Sequence, residues 1–176
     1  EKEWILYCTG VVPAISSIVR KMTEIGDDIV VLAPVYNIFY NSILNNGRKV
    51  LASELRYADG SYTIDYADLE EKLSRETTSL FIFCNPHNPI GKVWDRPTLE
   101  RIAELCIKHD VLVVSDEIHC DLTHIGHAYI PFASLSKEIA DRTISCIAPT
   151  KTFNIAGLQT AAIVIPNPEI RKQVDR

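Results

Sequence analysis

The amino-acid sequence predicts an α/β fold with three layers, α/β/α, built around a mainly parallel seven-stranded sheet. Two observations lead there. Strand-like and helix-like segments alternate along the 176 residues, with no repeat and no low-complexity tract. Most strand-like segments are unbroken apolar runs, the pattern of strands covered on both faces rather than on one. The length suffices for one domain with a sizeable core, and 47% apolar with 23% charged residues is ordinary globular composition.

Trp4–Cys8 reads as the first strand and leads through Thr9-Gly10 into a helix beginning near Val11. Ile15, Ile18, Val19, Met22 and Ile25 keep helical spacing while Arg20, Lys21 and Glu24 face outward. Pro13 suits the first turn, where no backbone donor is required. Gly26-Asp27 stops this helix, and Ile29–Ala33 is a continuous apolar strand. A second helix follows Pro34-Val35-Tyr36 and is closed by Asn45-Asn46-Gly47. Lys49–Leu55 is a third strand, and Asp59-Gly60 is a turn signal that can close a hairpin with Tyr62–Ile64. Asp65 caps a helix with Leu69 and Leu73 inward, and Leu80–Cys84 returns to the sheet. After the turn-rich loop Asn85–Gly91, Asp95 opens a helix with Leu99, Ile102, Ala103 and Cys106 as its buried stripe. Val111–Val114 is a buried strand, and a polar segment from His119 to Arg142 separates it from the strand Ile144–Ala148. Ala161–Ile165 is the last strand, and the chain ends in a polar, helix-like segment.

The net charge of −5 comes without a basic block, so nothing in it invites nucleic acid or an anionic membrane surface. Five cysteines, odd in number and without C-x-x-C spacing, sit mostly in apolar runs and read as structural thiols of a reducing compartment. No signal peptide and no membrane-spanning run is evident, so a cytoplasmic location is expected. Both ends break off within or beside regular elements, which leads us to expect a piece of a larger protein.

Three stretches stand out because each follows a strand-like run: NPHNPIGKVW (Asn85–Trp94), SDEIHCDL (Ser115–Leu122) and PTKTFNIAGLQ (Pro149–Gln159). A lysine in a loop is usually only a solvated charge. Here Lys151 has company, because groups at the carboxyl ends of parallel strands converge on one crevice. A lysine, a carboxylate and an asparagine meeting there suit pyridoxal 5′-phosphate (PLP), held on the lysine as a Schiff base. Asp116 ends a buried strand, where a bare carboxylate is costly without a cation. No pair of histidines at helical spacing with a third ligand appears, so no metal site is expected.

With N-P-x-N-P-x-G, D-E-x-[HY] and [ST]-K-T-F-N in this order, the chain resembles the large domain of fold-type I PLP-dependent enzymes, the aspartate aminotransferase superfamily. Within it, GVVPAIS (Gly10–Ser16), DEIHCDL and KTFNIAGLQ are most similar to the MalY/PatB-like cystathionine β-lyase (C–S lyase) branch. The resemblance implies that residues 1–176 are a PLP-binding large domain lacking an N-terminal arm and a C-terminal small domain. It implies Lys151 as the covalent anchor and the base that takes the Cα proton, and Asp116 as partner of the pyridinium nitrogen. It places Asn88 and His119 near the phenolic oxygen and Tyr36 against the ring face. Backbone N–H groups of Gly10, Val11 and Val12 would hold the phosphate at a helix start. Ala148 and Gln159 depart from the common aminotransferase pattern of serine and arginine, which leaves Thr150 as the substitute hydroxyl.

The activity so implied is β-elimination of a thiol from a sulfur-containing amino acid, giving pyruvate and ammonia. The alternatives are an aminotransferase and a catalytically silent regulator of the same fold. The expected partners are a small amino-acid substrate and a second copy of the chain in a homodimer, with no nucleic acid and no membrane.

Overall fold

A computed structural model describes residues 1–175. Its main sheet has the order β1-β9-β8-β7-β6-β2-β3, from β1 (Ile5–Cys8), β2 (Asp28–Ala33), β3 (Lys49–Glu54), β6 (Thr78–Cys84), β7 (Leu112–Asp116), β8 (Thr143–Ile147) and β9 (Ala161–Val164). The pairs β2–β3, β2–β6, β6–β7 and β7–β8 are parallel, whereas β9 runs against both of its neighbours, β8 and β1. The sheet is therefore mainly parallel, with one reversed strand. A separate hairpin, β4 (Arg56–Ala58) with β5 (Ser61–Thr63), turns at Asp59-Gly60 as the sequence predicts.

The unbroken apolar strands are explained by two cores, one on each face. Ile29 and Val31 of β2 and Leu80 and Ile82 of β6 pack with α1 (Val11–Met22), α2 (Ile38–Leu44) and Val174 of α6 (Pro168–Asp175). Val30, Leu32, Phe81 and Phe83, the alternate residues of the same strands, pack with α3 (Tyr66–Leu73) and α4 (Arg96–Lys108). Period-two alternation sends successive side chains to opposite faces, so a strand sandwiched between helix layers must be apolar at every position. Asp65 and Asp95 start α3 and α4 by accepting from the N–H groups of Asp68 (3.3 Å) and Thr98 (3.0 Å), as N-cap side chains do.

Strand ends differ from the expected ones by one or two residues. The polar segment after His119 is less of a plain connection than its composition suggests. It contains a 3-10 turn at Phe132–Ser134 and the short α5 (Lys137–Ala140), and it buries Phe132 and Ile139 completely. Among the described residues no helix is long and apolar enough to cross a membrane.

Candidate active site

β2, β6, β7 and β8 all run the same way, so their carboxyl ends share one edge of the sheet, and β1 ends on that edge too. The chain reverses its direction of travel across the sheet between β2 and β6, and such a reversal opens a crevice at the carboxyl edge. Tyr36 follows β2, Asn88 follows β6, Asp116 ends β7, and Thr150 and Lys151 follow β8. Gly10 follows β1 as the N-cap of α1, with Val11 and Val12 in the first turn. Residues scattered from position 10 to 151 in the sequence are therefore brought to one edge by strand direction alone.

Asp116 is 5% exposed, held in register between Cys84 of β6 and Cys146 of β8. One of its side-chain oxygens, Oδ1, accepts from the Ile118 N–H at 3.1 Å, and that is the carboxyl group's one hydrogen bond among the described residues. Burial pushes its carboxyl up to about 7; the Ile118 N–H and the Lys151 charge oppose that rise, and the neighbouring Glu117 adds to it. Lys151 is thus close enough to act on Asp116, and its charge also lowers the pKa of His119, which burial depresses first. The structure brings Lys151, Asp116 and His119 together.

Lys151 sits in a turn closed by Phe153 N–H to Pro149 O (3.0 Å) and Ile155 N–H to Thr150 O (3.0 Å). Thr152 Oγ1 donates to Asp121 Oδ2 at 2.9 Å, tying this turn to the segment after β7. The hydroxyl of Thr150 makes no hydrogen bond among the described residues, so it is free to serve a ligand. At the other side, the ring of Tyr36 is braced edge-on by Phe39, with centroids 5.9 Å apart and planes at 82°. Asn88 is half-buried, at the tip of a loop bridged by His87 N–H to Lys92 O (2.7 Å) and Gly91 N–H to His87 O (2.8 Å).

Two functional supports were not legible as such in the sequence. Asn85 reads there as a turn asparagine between a strand and a proline; in the structure it is fully buried and staples three segments. Its N–H donates to Asp116 O (3.0 Å), its Nδ2 to Ile130 O (3.3 Å), and its Oδ1 accepts from Trp94 N–H (3.2 Å). Glu117 is a second buried carboxylate beside Asp116. Its Oε1 accepts from Ser115 Oγ at 2.8 Å and from Phe132 N–H at 3.0 Å, while burial pushes its carboxyl up. The only signal was its place next to Asp116 at the end of an apolar run.

The chemistry of this donor set fits PLP. Asp116 is a buried carboxyl whose ionised form needs a cation, which a protonated pyridine nitrogen is. The α1 start offers N–H groups and the positive end of a helix dipole to a phosphate.

Comparison with known proteins agrees. The family model for aminotransferase class I and II matches residues 1–176. Cystathionine beta-lyase PatB of Bacillus subtilis is 53% identical over 165 residues, covering 94% of this chain and 43% of that protein. Kynurenine–oxoglutarate transaminase 3 of Rattus norvegicus is 32% identical over 163 residues, covering 88% of this chain and 36% of that protein. Among solved structures, cystalysin of Treponema denticola, which contains a PLP cofactor, superposes with a TM-score of 0.98 at 41% identity, covering 99% of this chain and 44% of that one. The chain spans less than half the length of each.

Proposed function

The chain belongs to the aminotransferase class I and II family, and from that premise we propose that it is the cofactor-binding part of a PLP-dependent C–S β-lyase acting on a sulfur-containing amino acid. The observation that carries this reading is the convergence of Asn88, the buried Asp116 and Lys151 at the carboxyl ends of adjacent parallel strands. The 53% identity to a cystathionine beta-lyase favours elimination over transamination. Bound in the crevice, PLP would supply an electron sink for the charge left when a Cα proton is removed.

The remaining chemistry belongs to the chain. Lys151 would hold the cofactor and, once freed by the substrate amine, its Nζ would take the Cα proton. Asp116 would hold the proton of the pyridine nitrogen in place, and that cation would offset the burial penalty on its carboxylate. Asn88 and His119 would hold the phenolic oxygen, Tyr36 one ring face, and Thr150 with the N–H groups of Gly10, Val11 and Val12 the phosphate. The C–S bond then breaks with its electron pair leaving on the thiolate. The three-carbon remainder takes up water to give pyruvate and ammonia. Exposed Tyr7, Phe153 and Leu158 offer apolar surface to a second copy, in keeping with a homodimer, and five free thiols suit a reducing compartment such as the cytoplasm.

The second reading is an aminotransferase, favoured by the relationship to a kynurenine transaminase. It shares proton removal by Lys151 but expels no thiolate, and it would need a keto acid as acceptor of the amino group. Full-length enzyme given cystathionine without any keto acid should release pyruvate, ammonia and a thiol over many turnovers. A requirement for 2-oxoglutarate or pyruvate as acceptor would establish the aminotransferase instead.

A further inference from the structure

Beside the crevice lies an open cleft of about 550 Å³, and Asn88 and His119 line both. Its walls come from the β4–β5 hairpin, the loop after β6 and the segment after His119. Lys92, His124 and His127 contribute basic groups, Ile90 and Leu122 contribute apolar surface, and no Asp or Glu lines it. That is an unusual balance for a chain with a net charge of −5.

The Lys92 ammonium shows the imbalance most clearly. It donates to Ser61 Oγ at 3.2 Å and to the Tyr62 carbonyl, and it stands 5.1 Å from the centroid of the Trp94 ring. All three partners are neutral. Asp95 is near enough for Lys92 to lower its pKa, but its carboxylate is engaged in capping α4. Two nitrogens under this wall, His87 Nδ1 and Trp94 Nε1, are buried without a hydrogen-bond partner among the described residues. A cleft with an uncompensated cation, apolar flanks and no acid attracts an anion carried on a short apolar stem.

Resting on the lyase reading, we propose that this cleft receives the departing half of the substrate and selects for a carboxylate on it, with Lys92 as the specificity-determining residue. The shared residues Asn88 and His119 place the cleft next to the reacting carbons, where a thiol leaving from Cβ has to go. Neutral S-alkyl conjugates would fill the apolar flanks but leave Lys92 without its counter-charge.

The test uses full-length holoenzyme and two nearly isosteric substrates, S-carboxyethyl-cysteine and its amide, S-carbamoylethyl-cysteine. The acid should be preferred in kcat/KM by about fivefold or more at low salt, and the preference should shrink at high salt. Lys92→Met should bring the ratio to unity, and Lys92→Arg, which keeps the charge, should restore it. A ratio near unity in the unsubstituted enzyme, or one that Lys92→Met leaves unchanged, overturns the proposal. Should Lys92→Met not fold, the salt dependence of the ratio in the unsubstituted enzyme decides, and a ratio indifferent to salt is fatal. Calorimetry with methylthiopropanoate and its amide, which cannot react, separates the subsite from the reaction. Lys92-dependent binding of the acid with no elimination of either conjugate would leave the subsite standing and sink the lyase. Elimination of both conjugates without discrimination would do the reverse.

Discussion

Replacing Glu117 tests whether the candidate site depends on a carboxylate that touches none of the proposed chemistry. The side chain is 3% exposed and accepts from the Ser115 hydroxyl at 2.8 Å and from the Phe132 N–H at 3.0 Å. Glu117→Leu removes the acceptor for both of them. The Ser115 hydroxyl can rotate toward another acceptor, but the Phe132 N–H is fixed by the backbone, and Phe132 is fully buried in the core. A buried donor left without a partner costs about 1–3 kcal/mol, so stranding the fixed Phe132 N–H should cost toward the upper end of that range, roughly 2–3 kcal/mol. Glu117→Gln keeps an oxygen at the acceptor position and should cost about 1 kcal/mol. Urea unfolding of the full-length protein at fixed pH reads both, through the midpoint at unchanged m-value. The reasoning fails if the two variants are equally stable, or if Glu117→Leu lies within about 0.5 kcal/mol of the unsubstituted protein.

Three further outcomes are expected. Asp116 has its carboxyl pushed from 3.8 to about 7 by burial, so the folded apoprotein keeps a proton that the unfolded chain has already released. Its stabilising contribution is then full below about pH 4 and lost as pH rises through about 7, a swing of up to about 4 kcal/mol, and Asp116→Asn should flatten that part of the apoprotein's stability–pH profile. In the loaded enzyme, Asp116→Ala should lower kcat by at least about a hundredfold while the protein still folds, and near-normal turnover would refute its role. Phe132→Ala should cost about 3–5 kcal/mol in urea unfolding, because its ring is fully buried 5.3 Å from that of Phe83 and the cavity left behind cannot collapse against a sheet; a loss under about 1 kcal/mol would contradict that packing.

The sheet was legible because parallel strands must be apolar throughout, and that pattern survives in a single sequence at Ile29–Ala33 and Leu80–Cys84. The convergence of Asn88, Asp116 and Lys151 followed from the same fact, since each ends or follows such a run. What a single sequence hides is pairing across distance. Asn85 looks like any asparagine before a proline until Ile130 and Trp94 are folded onto it. Glu117 resembles a surface acid until Phe132, 15 residues later, supplies its donor. The reversed direction of β9 was equally invisible, because an apolar run of four residues carries no sign of which way it points. The basic cleft depends on the hairpin at Gly60–Tyr62 closing over Lys92, a contact between segments 30 residues apart.

The staple at Asn85 has a mechanical consequence. It clamps the end of β6 to β7, to the entry of α4 and to the segment leading to Phe132, so the wall that carries Asp116 can open only if the core opens with it. The turn that carries Lys151 is held differently. Lys151, Phe153, Asn154 and the stretch Ala156–Gln159 are all exposed, and its side-chain tie to the opposite wall is the exposed Thr152–Asp121 bond. In the apoprotein, before a second copy covers Phe153 and Leu158, amide hydrogen exchange should therefore split the crevice in two, with Asn85 and Glu117 exchanging at the rate of global unfolding and residues 151–159 orders of magnitude faster. An anvil and a hammer are the apt comparison: the carboxyl of Asp116 is set in rock, while the amine of Lys151 swings on a short, loose arm.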